Sequence, residues 1–216
     1  MNKPSNVLLG GTNLISFSAG TLAEEKCDIL DCLAYAEINA TGRFNRKRHW
    51  AQWIERYQLE LYKNGFQITD ALPGERLVLT DPRDLYSVVS DALESGENRE
   101  LERLARSSFL ELLGSKDGQA FFRNWFSEER SENVQIIPCR RDSHGRTEIL
   151  FCGLEMLIAT TESGWFEGSR SKIAVTISGG EYRFSSAAYE RYRQKVESFL
   201  DNHVREAIRP IQGVAI

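Results

Sequence analysis

Apolar residues recur at helical spacing through most of the first 130 positions and at alternating or continuous spacing after that. This change of period is the main structural signal in the chain. Trp50, Trp53, Ile54, Tyr57 and Leu61 fall at i, i+3, i+4, i+7 and i+11, a wide apolar stripe that predicts a helix over 46–64, stopped by Asn64-Gly65. Upstream, Thr21-Leu22-Ala23-Glu24 has the spacing of a capping box and predicts a helix from there to about residue 40, ended near Gly42. Asp81-Pro82 reads as N-cap and first helical residue of a helix reaching about residue 94. The next helix carries Leu101, Leu104, Ala105, Ser108, Phe109, Leu112 and Leu113, and a shorter one packs Phe121, Phe122, Trp125 and Phe126. Only the opening, 6–18, and the segments 66–69 and 76–80 around Pro73-Gly74 read as short strands in this part.

Strands are predicted at 134–140, 147–161, 172–178 and 181–185, with turns at Ser143–Arg146 and Ser178–Glu181. The Gly179-Gly180 pair in the second turn tolerates the positive φ of a tight hairpin. A final helix over 187–208 carries Tyr189, Tyr192, Val196, Phe199, Leu200 and Ala207 on one side. The expected fold is therefore α+β: a mainly helical N-terminal two-thirds, then an antiparallel β-meander closed by a long C-terminal helix. The expected division is 1–132, helical with a short N-terminal hairpin, and 133–216, sheet plus helix, as two domains or one with a shared core.

Bulk properties narrow the class without naming an activity. The 216 residues are 41% hydrophobic and 27% charged, ordinary values for a globular chain. No apolar run approaches the ~20 residues of a membrane span, and Gly10-Gly11 interrupts the short apolar stretch near the N-terminus, so a secretory leader is a poor fit. Four cysteines without such a leader read as reduced thiols, which points to a soluble, cytoplasmic protein. The net charge of −4 disfavours a general polyanion binder.

Several clusters carry residue types suited to chemistry. Arg43, Arg46, Lys47 and Arg48, with Phe44 and Trp50 among them, could contact phosphates and stack on bases; the competing reading is a solvated helix entry. Glu24, Asp28 and Asp31 share one helix face, with the geometry of a weak cation site or of a dipole-matched solvated face. Cys139 and Cys152 are expected near each other on adjacent strands with His144 in the turn between them, but a fourth zinc ligand and close CxxC spacing are missing. No nucleophile elbow, P-loop or dinucleotide fingerprint occurs, and neither a metal nor a cofactor is expected. The polar connection 161–171 holds Trp165 and Phe166 at its centre, and the tail carries Ile211, Val214 and Ile216. Those five residues are the expected contacts with a protein partner or a second copy. The sequence thus favours a non-catalytic interaction or assembly protein that self-associates. The alternatives are a nucleic-acid-associated protein using the 43–48 cluster and an enzyme whose site lies in a cleft between helices and sheet.

Overall fold

The computed structural model describes residues 6–10, 13–72, 74, 76–79, 87, 98–116, 132–159, 172–203 and 209–210. The elements in chain order are β1 (Asn6–Gly10), β2 (Asn13–Phe17), α1 (Ala23–Thr41), α2 (Trp50–Lys63), β3 (Phe66–Ala71), β4 (Arg76–Leu79), α3 (Arg99–Gly114), β5 (Glu132–Arg141), β6 (Thr147–Ala159), β7 (Lys172–Phe184), α4 (Ser186–Asp201) and β8 (Arg209–Pro210). The helix expected over 81–94, apart from Ser87, and the one around Phe121–Phe126 lie outside the described residues, as do Trp165, Phe166, Ile211, Val214 and Ile216.

All eight strands form one mixed sheet, in the order β3-β7-β6-β5-β2-β1-β8, with β4 also paired to β7. This overturns the α+β expectation of a helical N-terminal part followed by its own antiparallel meander. The first 80 residues supply four strands, and β2 lies parallel to β5 in the register Asn13↔Gln135 through Phe17↔Cys139. The physical reason lies in β2 itself. Leu14, Ile15, Ser16 and Phe17 are all buried, on both faces, so this strand needs sheet neighbours on each side and a helix layer above and below.

Period-two alternation divides the sheet into two cores. On one face Phe17, Ile137, Cys139, Ile149, Phe151, Tyr182 and Phe184 pack beneath α1, α2 and α4. On the other, Leu14, Val134, Ile136, Leu154, Val175 and Ile177 pack against Leu101, Ala105, Phe109 and Leu112 of α3. The α2 stripe faces inward as its spacing requires, and Trp50, Trp53, Tyr57 and Phe151 form a stacked series with centroids 5.1–5.5 Å apart.

Three local expectations change. The Thr21–Glu24 capping box does not form: α1 is N-capped by Leu22 without a side-chain bond, and the Thr21 hydroxyl lies 3.2 Å from that of Ser18. Helix α2 begins at Trp50 rather than 46, leaving Asn45 to accept from the Arg48 amide in the preceding turn. Ser178–Glu181 is not a hairpin. β7 runs unbroken through Gly179 (φ 144°) and changes neighbours there, from β4 below to β3 above. The turn at 142–146 does form, with Gly145 at φ 76° and Asp142 Oδ1 accepting from the amides of His144 and Arg146.

Cys139 and Cys152 lie on adjacent strands but in different cores, because Cys139 pairs with Ile149 and Cys152 with Ile136. They face opposite sides of the sheet and cannot share an ion. Among the described residues no group of His, Cys, Asp and Glu is arranged to hold a metal, and no helix is long and apolar enough to cross a membrane. Burial raises the thiol pKa of Cys32 and Cys139 and pushes that of Cys152 up to about 12, whereas Cys27 is exposed. Iodoacetamide added to the folded protein is therefore expected to give a single adduct at Cys27 by intact mass, and four only after unfolding.

Candidate functional site

The helix-bearing face that carries α1, α2 and α4 changes character along its strands. Toward the Arg141 end of β5 it is apolar and covered by helices. Moving toward the Glu132 end, the next row across four neighbouring strands is Asn13, Gln135, Gly153 and Ser178, directly opposed in register. Beyond it come Asn133, Glu155, Thr176 and Arg76, and then Leu157, Ala174 and Val78. The last row is open: Leu157 is 39% and Val78 62% exposed.

The polar row is closed from above by the start of α2 and by the preceding turn. A Cβ built on Gly153 would stand 2.9 Å from Trp50 Cζ2 and 3.1 Å from Ile54 Cδ1, so the missing side chain is what lets the indole lie on the strand. Glu37 of α1 accepts from Asn13 Nδ2 through one oxygen and from Arg46 through the other, each at 2.7 Å. Arg46 and Asn133 bond reciprocally, the guanidinium to the Asn133 carbonyl at 3.5 Å and Asn133 Nδ2 to the Arg46 carbonyl at 3.0 Å. The guanidinium also lies 4.4 Å from the Trp53 ring centroid, within cation–π range.

Seven buried polar atoms in this small volume have no protein partner: Asn13 Oδ1, Arg46 Nε, Trp50 Nε1, Asn133 Oδ1, both amide atoms of Gln135, and Ser178 Oγ. Gln135 is 0% and Asn133 2% exposed. A buried polar group left unpaired costs about 1–3 kcal/mol, so such a concentration works against stability here. The adjoining Glu155 carboxyl has its pKa raised by burial, an effect that Arg76 partly offsets.

The sequence-predicted basic cluster divides here. Arg46 is built into the wall of the polar row, while Arg43, Lys47 and Arg48 are exposed on the turn. Nothing in the local sequence marks Asn13, Gln135 or Ser178. Each is an ordinary polar residue at an inward position of a strand, and only the register of four strands brings them together.

A second polar region lies on the α3 face, lined among others by Thr69, Asn98, Glu148, Glu181 and Arg183. Its carboxylates hold the start of α3. Asn98 donates its amide to Glu181 at 3.2 Å and its Nδ2 to Glu148 at 2.7 Å, while Arg140 Nε reaches the same Glu148 oxygen at 2.9 Å. Arg140 also pairs with Glu100. Acidic groups at a helix N-terminus match its dipole, so this cluster has a structural role without any substrate.

No family model matches the chain, and no curated protein matches it either. Among solved structures it is similar to the one titled "Structure of the Evf virulence factor", at 16% identity and a TM-score of 0.41, over 93% of this chain and 86% of that one.

Proposed function

We propose that the chain is a non-catalytic interaction protein that self-associates through the open end of the α2 face. The observation that carries this reading is the pair of rows Glu155–Thr176–Arg76 and Leu157–Ala174–Val78, which lie across β6, β7 and β4 with an acid on one flank, a base on the other and exposed apolar residues beside them. Both rows are centred on β7. A two-fold axis along β7 therefore sets Arg76 of each copy opposite Glu155 of the other, and Leu157 opposite Val78. An isologous interface needs that self-complementarity. The connection with Trp165 and Phe166 leaves and re-enters the sheet at this same end, where Ala159 pairs with Lys172.

Light scattering on the full chain tests the reading by charge exchange. Arg76→Glu is expected to convert the oligomer to monomer, and Arg76→Glu with Glu155→Arg to restore it. Val78→Glu is expected to give monomer with unchanged circular dichroism. A wild-type chain that stays monomeric at high micromolar concentration, or a charge-exchanged variant that fails to re-associate while still folded, overturns the proposal.

A further inference from the structure

We propose that self-association through the open end of the α2 face is acid-sensitive, with Glu155 as the switch: the contact tightens while this carboxylate is charged and loosens when it takes up a proton. The proposal rests on the self-association reading and adds a means of control to it.

The geometry begins within one chain. Glu155 on β6, Thr176 on β7 and Arg76 on β4 stand directly opposed in register on the same face. The backbones that carry the acid and the base are thus two strand spacings apart, roughly 10 Å, with a threonine between them. Among the described residues, neither side chain makes an ion pair or hydrogen bond within its own chain. A second copy turned about the two-fold axis brings a guanidinium against each carboxylate. The pair is therefore made on association and not before it.

The surroundings decide which member responds to pH. Arg76 is exposed and keeps its charge throughout. Glu155 is half-buried, and burial raises its pKa above 4.5, with Arg76 offsetting part of the rise. From β5 it is met by Asn133, an uncharged group whose amide is held by the Arg46 carbonyl. Arg46 itself is paired with Glu37 at 2.7 Å. From β7 it is met by Thr176, while Lys172 lies two rows further along that strand, opposite Ala159. Glu132 holds a register position opposite Met156, on the other face of the sheet. Neither of the two contact rows contains a histidine. Glu155 is thus the group in these rows that changes charge in mild acid.

The direction follows from linkage. Each carboxylate gains Arg76 of the other copy on association, which lowers its pKa below the value in the free chain. A group that binds its proton less tightly in the dimer favours the dimer above its free-chain value, and this contribution is lost as pH falls through that value. The row of Leu157, Ala174 and Val78 does not titrate, so acid weakens the contact while leaving its apolar part in place.

Sedimentation of the full chain at pH 7 and pH 4.5 tests the proposal. The wild-type dissociation constant is expected to be about tenfold weaker at pH 4.5, with unchanged circular dichroism. Glu155→Gln is expected to associate more weakly than wild type and equally at the two pH values, which also controls for the change in net charge. Arg76→Glu with Glu155→Arg moves the carboxylate to an exposed position, so this chain is expected to hold its affinity to lower pH than wild type. A wild-type chain that associates equally at both pH values, or a Glu155→Gln chain that weakens in acid as far as wild type, overturns the proposal and leaves self-association standing. A wild-type chain that is monomeric at both pH values overturns self-association itself, and this proposal with it.

Discussion

Replacing Arg193 by methionine is expected to lower unfolding free energy by about 3–5 kcal/mol, because it strands a buried carboxylate. Arg193 lies on α4 and forks onto both oxygens of Asp28 on α1, with Arg193 Nη2 2.9 Å from Oδ2. Its Nε binds Glu190 at 2.8 Å, and the guanidinium lies 5.1 Å from the Tyr189 ring centroid. Asp28 is only 2% exposed and packs in the same core as Ile29, Cys32 and Tyr189. Burial outweighs the arginine even in the intact pair, so the Asp28 pKa is raised above 3.8.

That direction fixes the pH dependence. A carboxyl that binds its proton more tightly when folded disfavours the folded state above its raised pKa, and this cost disappears as pH falls toward the unfolded value. Without Arg193 the folded pKa rises further. The deficit of Arg193→Met is therefore expected to be full at neutral pH and to shrink in acid as Asp28 takes up a proton. Chemical denaturation at pH 7 and pH 5 measures it. The double variant Asp28→Leu, Arg193→Met is expected to recover most of the loss, since an apolar pair of similar volume replaces a buried ion pair at little cost. Equal deficits at the two pH values, or a double variant no better than the single, would show that Arg193 acts by packing alone.

Gly179→Ala is expected to be comparably severe, on the order of 3–5 kcal/mol, for a reason confined to the backbone. Gly179 sits at φ 144° in the middle of β7, and a Cβ there would stand 1.9 Å from the Phe151 carbonyl oxygen and 2.9 Å from its carbon. Neither atom belongs to a side chain that can swing away. At Gly114, by contrast, a Cβ meets nothing within 4 Å. Gly114→Ala is expected to be neutral or slightly stabilising through lower chain entropy when unfolded. Melting temperatures of the two variants provide the comparison, at about 2–4 °C per kcal/mol for a chain of this size. A Gly179→Ala protein that melts with wild type would mean that β7 can straighten and pair with β3 and β4 in another register.

What the sequence revealed and what it concealed follow from the range of the interactions. The α2 stripe was legible because its five residues need only a helix to share a face, and all of them are buried. The stripe from Leu101 to Leu112 behaved in the same way. Gly179-Gly180 was visible as a place needing special backbone freedom, but local sequence could not distinguish a hairpin from a through-strand that changes partners. The parallel match of β2 with β5 had no local trace, because it joins positions more than a hundred residues apart. Asp28 read as part of a solvated acidic face because its partner lies 165 positions away. The polar row was the least legible feature of all, since a shift of one residue in any of its strands would turn that side chain to the other face.

The order in which the strands are made has a consequence for biosynthesis. β2 cannot gain its inner neighbour until 135–139 have been translated, and β3 and β4 must wait for 172–184. On a ribosome adding about 5–20 residues per second, the first four strands therefore emerge well before the edges that receive them. α1 and α2 can form early, but their apolar faces have no sheet to cover. A chain halted before β7 would present unpaired strand edges beside a tryptophan-rich helix, a state prone to aggregation. Nascent chains of this protein are thus expected to engage holding chaperones until the last third of the polypeptide is released.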